Sequence, residues 1–324
     1  MSNEQRIIDL IPSDWFKDRA KSSVWIRCYW ARPIVAAPFS DQLVVHLARA
    51  LLVFFRGSVT FAYAERPDIE PTEDRDARFR TPRRYGQATT PPGTYAFIIA
   101  PHDVDSIEAR EDVTEAQLDE LEGLLTSYGG RATVYRRVID NICNLGDNSV
   151  TIYFGNVDNP AWYDPPDFST PALANLTDVD IARSGAAQDV RARIDLSLRW
   201  LAYAGRDHGV DAFIKCWVAV ETLAMPDDTN VRPANELLAS RYGISLDDAS
   251  RQFLLGRLQG VRSAIIHRGL RVEIPGEVAK FMEGVYFDLL TALLNVSAKA
   301  RAQLLLRQGA FDLGQWLTRV AASG

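Results

Sequence analysis

The sequence predicts two domains of different class, an α+β domain over residues 1–172 and an all-α helical-bundle domain over residues 173–324. A chain of 324 residues is longer than one hydrophobic core usually organises. Strand-like runs are confined to the first half, whereas helical periodicity dominates after about residue 178. Proline and glycine are frequent between the halves, which predicts a linker over residues 155–172.

Four runs of β-forming residues predict the strands of the first domain. The runs VWIRCYW at residues 24–30, YAFIIA at residues 95–100 and VTIYF at residues 150–154 are short and bounded by turn-forming residues. Over residues 59–63, larger side chains alternate with smaller ones after a glycine turn. These runs indicate a sheet in this half of the chain.

Three other segments predict helices in the same domain. Ser40 is placed to cap a helix whose apolar residues share one face through residue 55, with a strand as the open alternative. A capping box at residues 114–117 precedes leucines at helical spacing. Valine and isoleucine recur every four residues over residues 134–142, which indicates a further helical segment.

Residues 66–93 predict a long mobile loop because they combine proline-containing turns with dense charge and no apolar run. Phe79 and Tyr85 lie among its arginines, and such a mixture can bind single-stranded RNA. The alternative is a solvated loop whose arginines pair with nearby acidic residues. The candidate RNA-binding residues are Arg78, Arg80, Arg83 and Arg84.

Helical signals follow one another in the second domain and predict a bundle of four to five helices. The longest of these is expected to begin at Ser245, which has Asp248 three residues later, and to end at Gly269. No strand pattern is found after residue 180.

The composition limits the cellular compartment and the binding partners that we expect for this protein. The sequence has no apolar run of about 20 residues and no secretory signal pattern, so we expect a cytoplasmic protein with no membrane partner. Its three cysteines are far apart and predict neither a disulfide framework nor a metal site. Residues 1–180 carry 18 basic and 27 acidic side chains, whereas residues 181–324 carry 18 and 15, a balance compatible with nucleic-acid contact in the second half.

Arg262 and His267 are the candidate catalytic residues, near the end of the helix that Gly269 is expected to terminate. Arginine binds phosphate, and histidine exchanges protons near neutral pH. Their spacing alone is uninformative, because 31 arginines and four histidines produce about one such pair by chance. Glu221 adds context, since a carboxylate on an otherwise apolar stripe needs a partner, for which Arg262 is a candidate.

Two blocks in this order resemble the HEPN superfamily, and most closely its Apea-like domains. FIKCWVAVETL at residues 213–223 is similar to the aromatic-rich helix of that family, and VRSAIIH at residues 261–267 is similar to its Arg-x4–6-His motif. The likeness covers roughly residues 180–307. This sequence departs from the family pattern at Arg268, which separates His267 from the glycine that often follows it directly.

The resemblance implies a metal-independent endoribonuclease that needs no cofactor and acts as a homodimer through the C-terminal domain. His267 would move the proton of the ribose 2′-hydroxyl or of the leaving oxygen, and Arg262 would bind the scissile phosphate. Glu221, Ser263 and Arg268 would support them, and the product would be a 2′,3′-cyclic phosphate. The family also implies a prokaryotic antiviral-defence or toxin effector whose N-terminal domain senses a trigger or restrains the nuclease.

Helix geometry constrains such a site. Five residues place two side chains roughly 140° apart on a regular helix, so both cannot face one phosphate. A widened last turn, or a site shared by two protomers, would solve this. The alternative function is a non-catalytic dimeric HEPN binding module with ligand recognition by the N-terminal domain. In that case Arg262 pairs with Glu221, and the helix dipole favours His267 at the helix end.

Overall fold

The chain forms two compact units, an N-terminal unit of residues 1–118 and 134–168 and a C-terminal unit of residues 119–133 and 169–324. Residues 119–133 therefore belong with the second unit, although the sequence analysis assigned them to the first domain. The predicted succession of α+β and helical classes is confirmed. The structure, a computed structural model, describes residues 9–31, 42–65, 84–90, 92–102, 107–129, 134–146, 150–155, 170–226, 230–308 and 311–323.

Six strands of the N-terminal unit form an antiparallel sheet in the order β2-β3-β6-β1-β7-β8, and β4 pairs with β5. The predicted strands at residues 24–30, 95–100 and 150–154 are confirmed, as is the strand after the glycine turn at residue 57. The strands are β1 (Ser23–Ala31), β2 (Gln42–Leu47), β3 (Ala50–Gly57), β4 (Thr60–Glu65), β5 (Arg84–Thr89), β6 (Gly93–His102), β7 (Val134–Asn144) and β8 (Val150–Gly155).

The central strand β1 is buried on both of its faces. Val24, Ile26 and Cys28 lie in one hydrophobic cluster with residues of β3 and β6. Arg27 faces the other way and is also fully buried, and its Nε donates to Asp140 Oδ1 on β7 at 2.9 Å. Burial of two charges is tolerated only when they are paired, so this ion pair ties β1 to β7.

Ten α-helices lie in the described residues, nine of them after residue 169, so the predicted four to five helices are too few. The first helix spans both units, with residues 107–118 in the N-terminal unit and residues 119–129 in the C-terminal unit. The helices are α1 (Ile107–Gly129), α2 (Thr170–Gly185), α3 (Gln188–Arg206), α4 (Gly209–Ala224), α5 (Arg232–Tyr242), α6 (Leu246–Phe253), α7 (Leu255–Arg268), α8 (Gly276–Leu293), α9 (Ala302–Gln308) and α10 (Leu313–Ser323).

Two helix predictions in the first half are wrong. Residues 42–57 form the hairpin β2–β3, in which Leu47 pairs with Ala50 around a two-residue turn. Nearly every residue of β3 is apolar, so its pattern fits a helix or a strand buried on both faces. Residues 134–144 form β7 because they pair with β1 and β8, and pairing overrides the four-residue periodicity. The capping box at residues 114–117 lies inside α1, which begins at Ile107.

Regular elements occupy parts of the segments predicted as a loop and a linker. Residues 84–89 of the expected loop 66–93 form β5, whose Thr89 hydroxyl bonds to that of Thr60 at 2.9 Å. Residues 66–83 lie outside the described residues. In the expected linker 155–172, residue 155 is the end of β8 and residues 170–172 are the start of α2. Residues 156–169 lie outside the described residues.

The core of the C-terminal unit forms where α4 packs against α3 and α8. Trp217 of α4 is fully buried there, as are Leu198 of α3 and Val285 of α8. A buried hydroxyl pair, Ser197 Oγ and Tyr286 Oη at 2.6 Å, joins α3 to α8. Among the described residues, no helix is both long and apolar enough to cross a membrane.

The long helix expected from Ser245 to Gly269 is two helices. Ser245 caps α6 as predicted, since the Asp248 N–H donates to its Oγ at 3.1 Å. Leu254 then adopts the left-handed conformation, with φ 53°, and starts α7. In a continuous helix, Phe253 and Leu255 would point in nearly opposite directions, whereas the break accompanies complete burial of both. At 14 residues, α7 is shorter than α3, with 19, and α8, with 18.

Candidate functional site

Glu221 of α4 and Arg262 of α7 form the ion pair that the sequence indicated. Arg262 Nη2 donates to Glu221 Oε2 at 3.3 Å, and the two side chains are 25% and 29% exposed. Arg262 Nε is buried and has no hydrogen-bond partner within the described residues. Since the pair reaches solvent, it holds the arginine toward α4 without closing it off.

The last turn of α7 is wider than a regular α-helical turn. Gly269 is left-handed, with φ 66°, and the N–H groups of Gly269 and Leu270 both donate to the carbonyl of Ala264. These bonds reach back five and six residues, whereas a regular α-helix reaches back four. The chain thus closes around Ala264 more widely than a regular turn, but α7 remains an α-helix through Arg268, so this ending does not by itself bring Arg262 and His267 to one side.

His267 lies in this widened turn and is exposed, as are Arg268 beside it and Ile266 before it. In the described part of the chain, the imidazole of His267 forms no hydrogen bond or ion pair with a protein group. Ser263 is half-buried one turn earlier. The imidazole can thus meet a substrate from solvent, and it does not point into a closed core.

A single chain does not complete the site. Arg262 bonds toward α4, whereas His267 faces solvent, and no hydrogen bond joins the two among the described residues. A phosphate held by both needs the Arg262 side chain to turn or a second protomer to contribute one of the groups. Within the described stretches, the side chains of Ser263 and Arg268 form no hydrogen bond or ion pair with Arg262 or Glu221.

The other predicted RNA-binding residues belong to the N-terminal unit. Arg84 is the first residue of β5 and pairs with Glu65 of β4 in the strand register. Arg78, Arg80 and Arg83 lie outside the described residues.

Arg257 is a surface residue that the sequence analysis missed. It is exposed in the first turn of α7, and its Nη2 donates to Thr318 Oγ1 of α10 at 2.9 Å. A signal was present, because no acidic residue occurs between Asp248 and Glu273. The Arg-to-His spacing that makes Arg262 a candidate does not indicate Arg257.

A second charged cluster holds the C-terminal half of α1 to α2 and α3. Burial raises the pKa of Glu120 to about 7, with a further rise from Asp195 and a partial offset from Arg183. Because its members are paired and largely buried, we assign the cluster a structural role. Its ion pairs are Arg183 with Glu120, Asp180 and Asp195, Arg199 with Glu120, and Arg206 with Asp119 and Glu122.

Within the described residues, no group of three or more histidine, cysteine or acidic side chains is placed to hold a metal ion. Comparisons with models of protein families, with curated proteins and with solved structures found no match to this chain.

Proposed function

We propose that this protein is an endoribonuclease of the HEPN type, which cleaves RNA without a metal ion through its C-terminal unit. The observation that carries the proposal is the exposure of His267 in the widened last turn of α7. Support comes from Arg262, which lies on the same helix, is partly exposed and is oriented by Glu221. Together they offer a proton-transfer group and a phosphate-binding group near the end of one helix.

In the proposed reaction, the ribose 2′-oxygen attacks the adjacent phosphorus and the bond to the 5′-oxygen breaks. His267 accepts the 2′-hydroxyl proton, and a second acid protonates the leaving 5′-oxygen, which yields a 2′,3′-cyclic phosphate and a 5′-hydroxyl. Arg262 stabilises the negative charge that develops on the phosphate oxygens. A second His267, in its protonated imidazolium form, would supply this proton, which is one reason to propose a homodimer.

A homodimer would also explain how Arg262 and His267 could act on one phosphate, although they do not face the same point in a single chain. The exposed Ile266 lies beside His267, and a half-exposed apolar side chain, Val218, lies one turn before Glu221 on α4. Burial of these residues against a second copy would bring two α7 ends together. Arg262 of one protomer could then face the same phosphate as His267 of the other.

The cellular role that we propose is a cytoplasmic defence or toxin effector whose N-terminal unit recognises a trigger. This part of the proposal rests on the resemblance of residues 180–307 to Apea-like HEPN domains. The acidic N-terminal half would disfavour RNA, which agrees with a regulatory rather than a substrate-binding role.

A second candidate is a non-catalytic dimeric binding module. The ion pair between Arg262 and Glu221 favours it, because an arginine that already has a carboxylate partner can serve the fold alone. Arg268, which departs from the family pattern, is also compatible with a site that has lost catalysis.

The two candidates differ in what the purified full chain does to RNA in EDTA. We expect cleavage by the parent protein and at least a hundredfold loss in His267→Ala and in Arg262→Ala. Arg232→Ala is the matched control, since Arg232 is an exposed arginine of α5 that pairs with Glu236. Intact RNA with the folded parent protein, or cleavage that survives both site variants, would favour the binding module.

A further inference from the structure

One stretch of the C-terminal unit carries only positive charge. Residues 249–272 contain five arginines, one histidine and no acidic residue, in a chain whose net charge is −6. Other exposed arginines of the unit have a carboxylate one helical turn away: Arg191 has Asp195, Arg232 has Glu236, and Arg251 at the start of the stretch has Asp248. The stretch thus departs from the charge pattern of the surrounding helices.

Three arginines of this stretch keep their charge uncompensated. Arg257, Arg268 and Arg271 are exposed, and none forms an ion pair with a carboxylate in the described part of the chain. Repulsion among like charges lowers the stability of the fold. A surface that nevertheless concentrates them suits a polyanionic ligand.

The position of Arg257 strengthens this reasoning. His267 and Arg268 lie at the C-terminal end of α7, where the helix dipole favours a cation. Arg257 lies in the first turn, where the dipole disfavours it, and that turn contains no acidic residue. Thr318 fixes its guanidinium at the surface by accepting its hydrogen bond while donating to the Gly314 carbonyl at 2.8 Å.

The face of α7 between Arg257 and His267 is almost free of side chains. Gly256, Gly260, Ser263 and His267 follow at intervals of four, three and four residues and so share one side of the helix. A methyl group on Gly260 would meet nothing within 4 Å. Packing in this chain therefore does not require that glycine, which costs about 1 kcal/mol relative to alanine in a helix. Because Gly260 has no side chain, a ligand can approach the backbone of α7 closely at this position.

We infer that this face, with Arg257, Arg268 and Arg271 as its cations, binds the phosphate backbone of single-stranded RNA beside the Arg262–His267 pair. Eleven residues, or three helical turns, separate Arg257 from Arg268, so they lie on one side about 16 Å apart and meet different phosphates. The inference rests on the proposed function and names how that site holds its substrate.

The test measures binding of the full chain to a labelled single-stranded 2′-O-methyl oligoribonucleotide by fluorescence anisotropy at several salt concentrations. This probe cannot be cleaved because its 2′-oxygen is blocked. The double variant Arg257→Gln/Arg271→Gln should bind about tenfold more weakly at low salt, and its salt slope should be shallower by about 1.4, or 0.7 for each lost contact. Arg191→Gln/Arg232→Gln removes two paired, exposed arginines and should bind like the parent.

Equal losses of RNA affinity in the two double variants, or no loss of affinity in either, would overturn the inference. A changed molar mass in light scattering without a change in RNA affinity would also overturn it and assign the face to a second copy of the chain. Binding that depends on Arg257 and Arg271, together with a parent protein that leaves unmodified RNA intact, would support this face while refuting the nuclease. The failure of one proposal is therefore distinguishable from the failure of the other.

Discussion

At the scale of single residues, the ion pair between Arg262 and Glu221 is where structure and function are hardest to separate. Both side chains are about one quarter exposed, so solvent screens the pair and its contribution to stability is at most about 1 kcal/mol. An ion pair of this kind orients the guanidinium of Arg262 but contributes little to the stability of the contact between the two helices. We therefore expect its loss to affect the reaction more than the fold.

Glu221→Gln should lower the single-turnover rate of RNA cleavage about tenfold, because Arg262 loses the partner that orients it. The midpoint of thermal unfolding should change little. Glu236→Gln is the control, since it weakens the exposed Arg232–Glu236 pair of α5 and should leave cleavage unchanged. An unchanged rate in Glu221→Gln, or a large loss of stability, would assign the pair to the fold alone.

Glu120 predicts a pH effect on stability. Its pKa rises from 4.5 to about 7 in the folded chain, chiefly by burial beside Asp195, with Arg183 and Arg199 opposing the rise. A raised carboxyl pKa means that the folded state binds the proton more tightly. This contribution to stability is complete below about pH 4.5 and is lost as the pH rises through about 7.

Glu120→Gln cannot ionise and should remove this dependence. We compare the free energy of unfolding of the variant with that of the parent at each pH. This difference should be about 1–3 kcal/mol more favourable to the variant at about pH 8 than at about pH 5. Urea unfolding at the two values measures the difference, with Glu236→Gln on the exposed face of α5 as control. A constant difference between variant and parent across this range would refute the assignment.

At the scale of secondary-structure elements, two glycines occupy opposite environments. At Gly123 of α1, an added Cβ would overlap the carbonyl oxygen of Leu198 on α3, so the two helices approach closely there. At Gly260 of α7, the same atom would meet nothing within 4 Å. One glycine is required by packing, and the other weakens its helix without a packing reason.

The same substitution should therefore have opposite effects at the two positions. Gly123→Ala should lower the free energy of unfolding by about 1–3 kcal/mol or more, because the α1–α3 contact must open. Gly260→Ala should raise it by up to about 1 kcal/mol, because alanine favours the helix. Chemical denaturation of both variants decides, and destabilisation by Gly260→Ala would show that the open face is packed in solution.

Elements could be predicted from sequence where local signals are strong. Ser245 and Gly269 mark helix ends through a side-chain cap and a left-handed glycine, and both were predictable. The break at Leu254 carries no such signal, since a left-handed leucine is set by the burial of its neighbours. Strand β7 was mistaken for a helix because its pairing with β1 and β8 involves distant residues.

At the scale of the whole molecule, the candidate site could be predicted only in part. The Arg262–Glu221 pair follows from a carboxylate on an apolar stripe, which a nearby cation must compensate. The backbone bonds to Ala264 and the hydrogen bond from Arg257 to Thr318 could not be predicted, because they depend on the chain path at a helix end and on the packing of α10 against α7. The lack of acidic residues around Arg257 is visible in the sequence. The different charge balance of residues 1–180 and 181–324 agrees with the proposed division into a regulatory and an RNA-binding half.

The identity of the reaction product tests the central claim most directly. A defined RNA oligonucleotide is incubated with the full chain in EDTA, and the fragments are analysed by mass spectrometry. The proposed chemistry predicts 2′,3′-cyclic phosphate and 5′-hydroxyl ends, with no cut where the cleaved nucleotide carries a 2′-deoxyribose and no fragments with His267→Ala. Fragments with 3′-hydroxyl and 5′-phosphate ends, or cleavage that persists at the 2′-deoxy position, would contradict it.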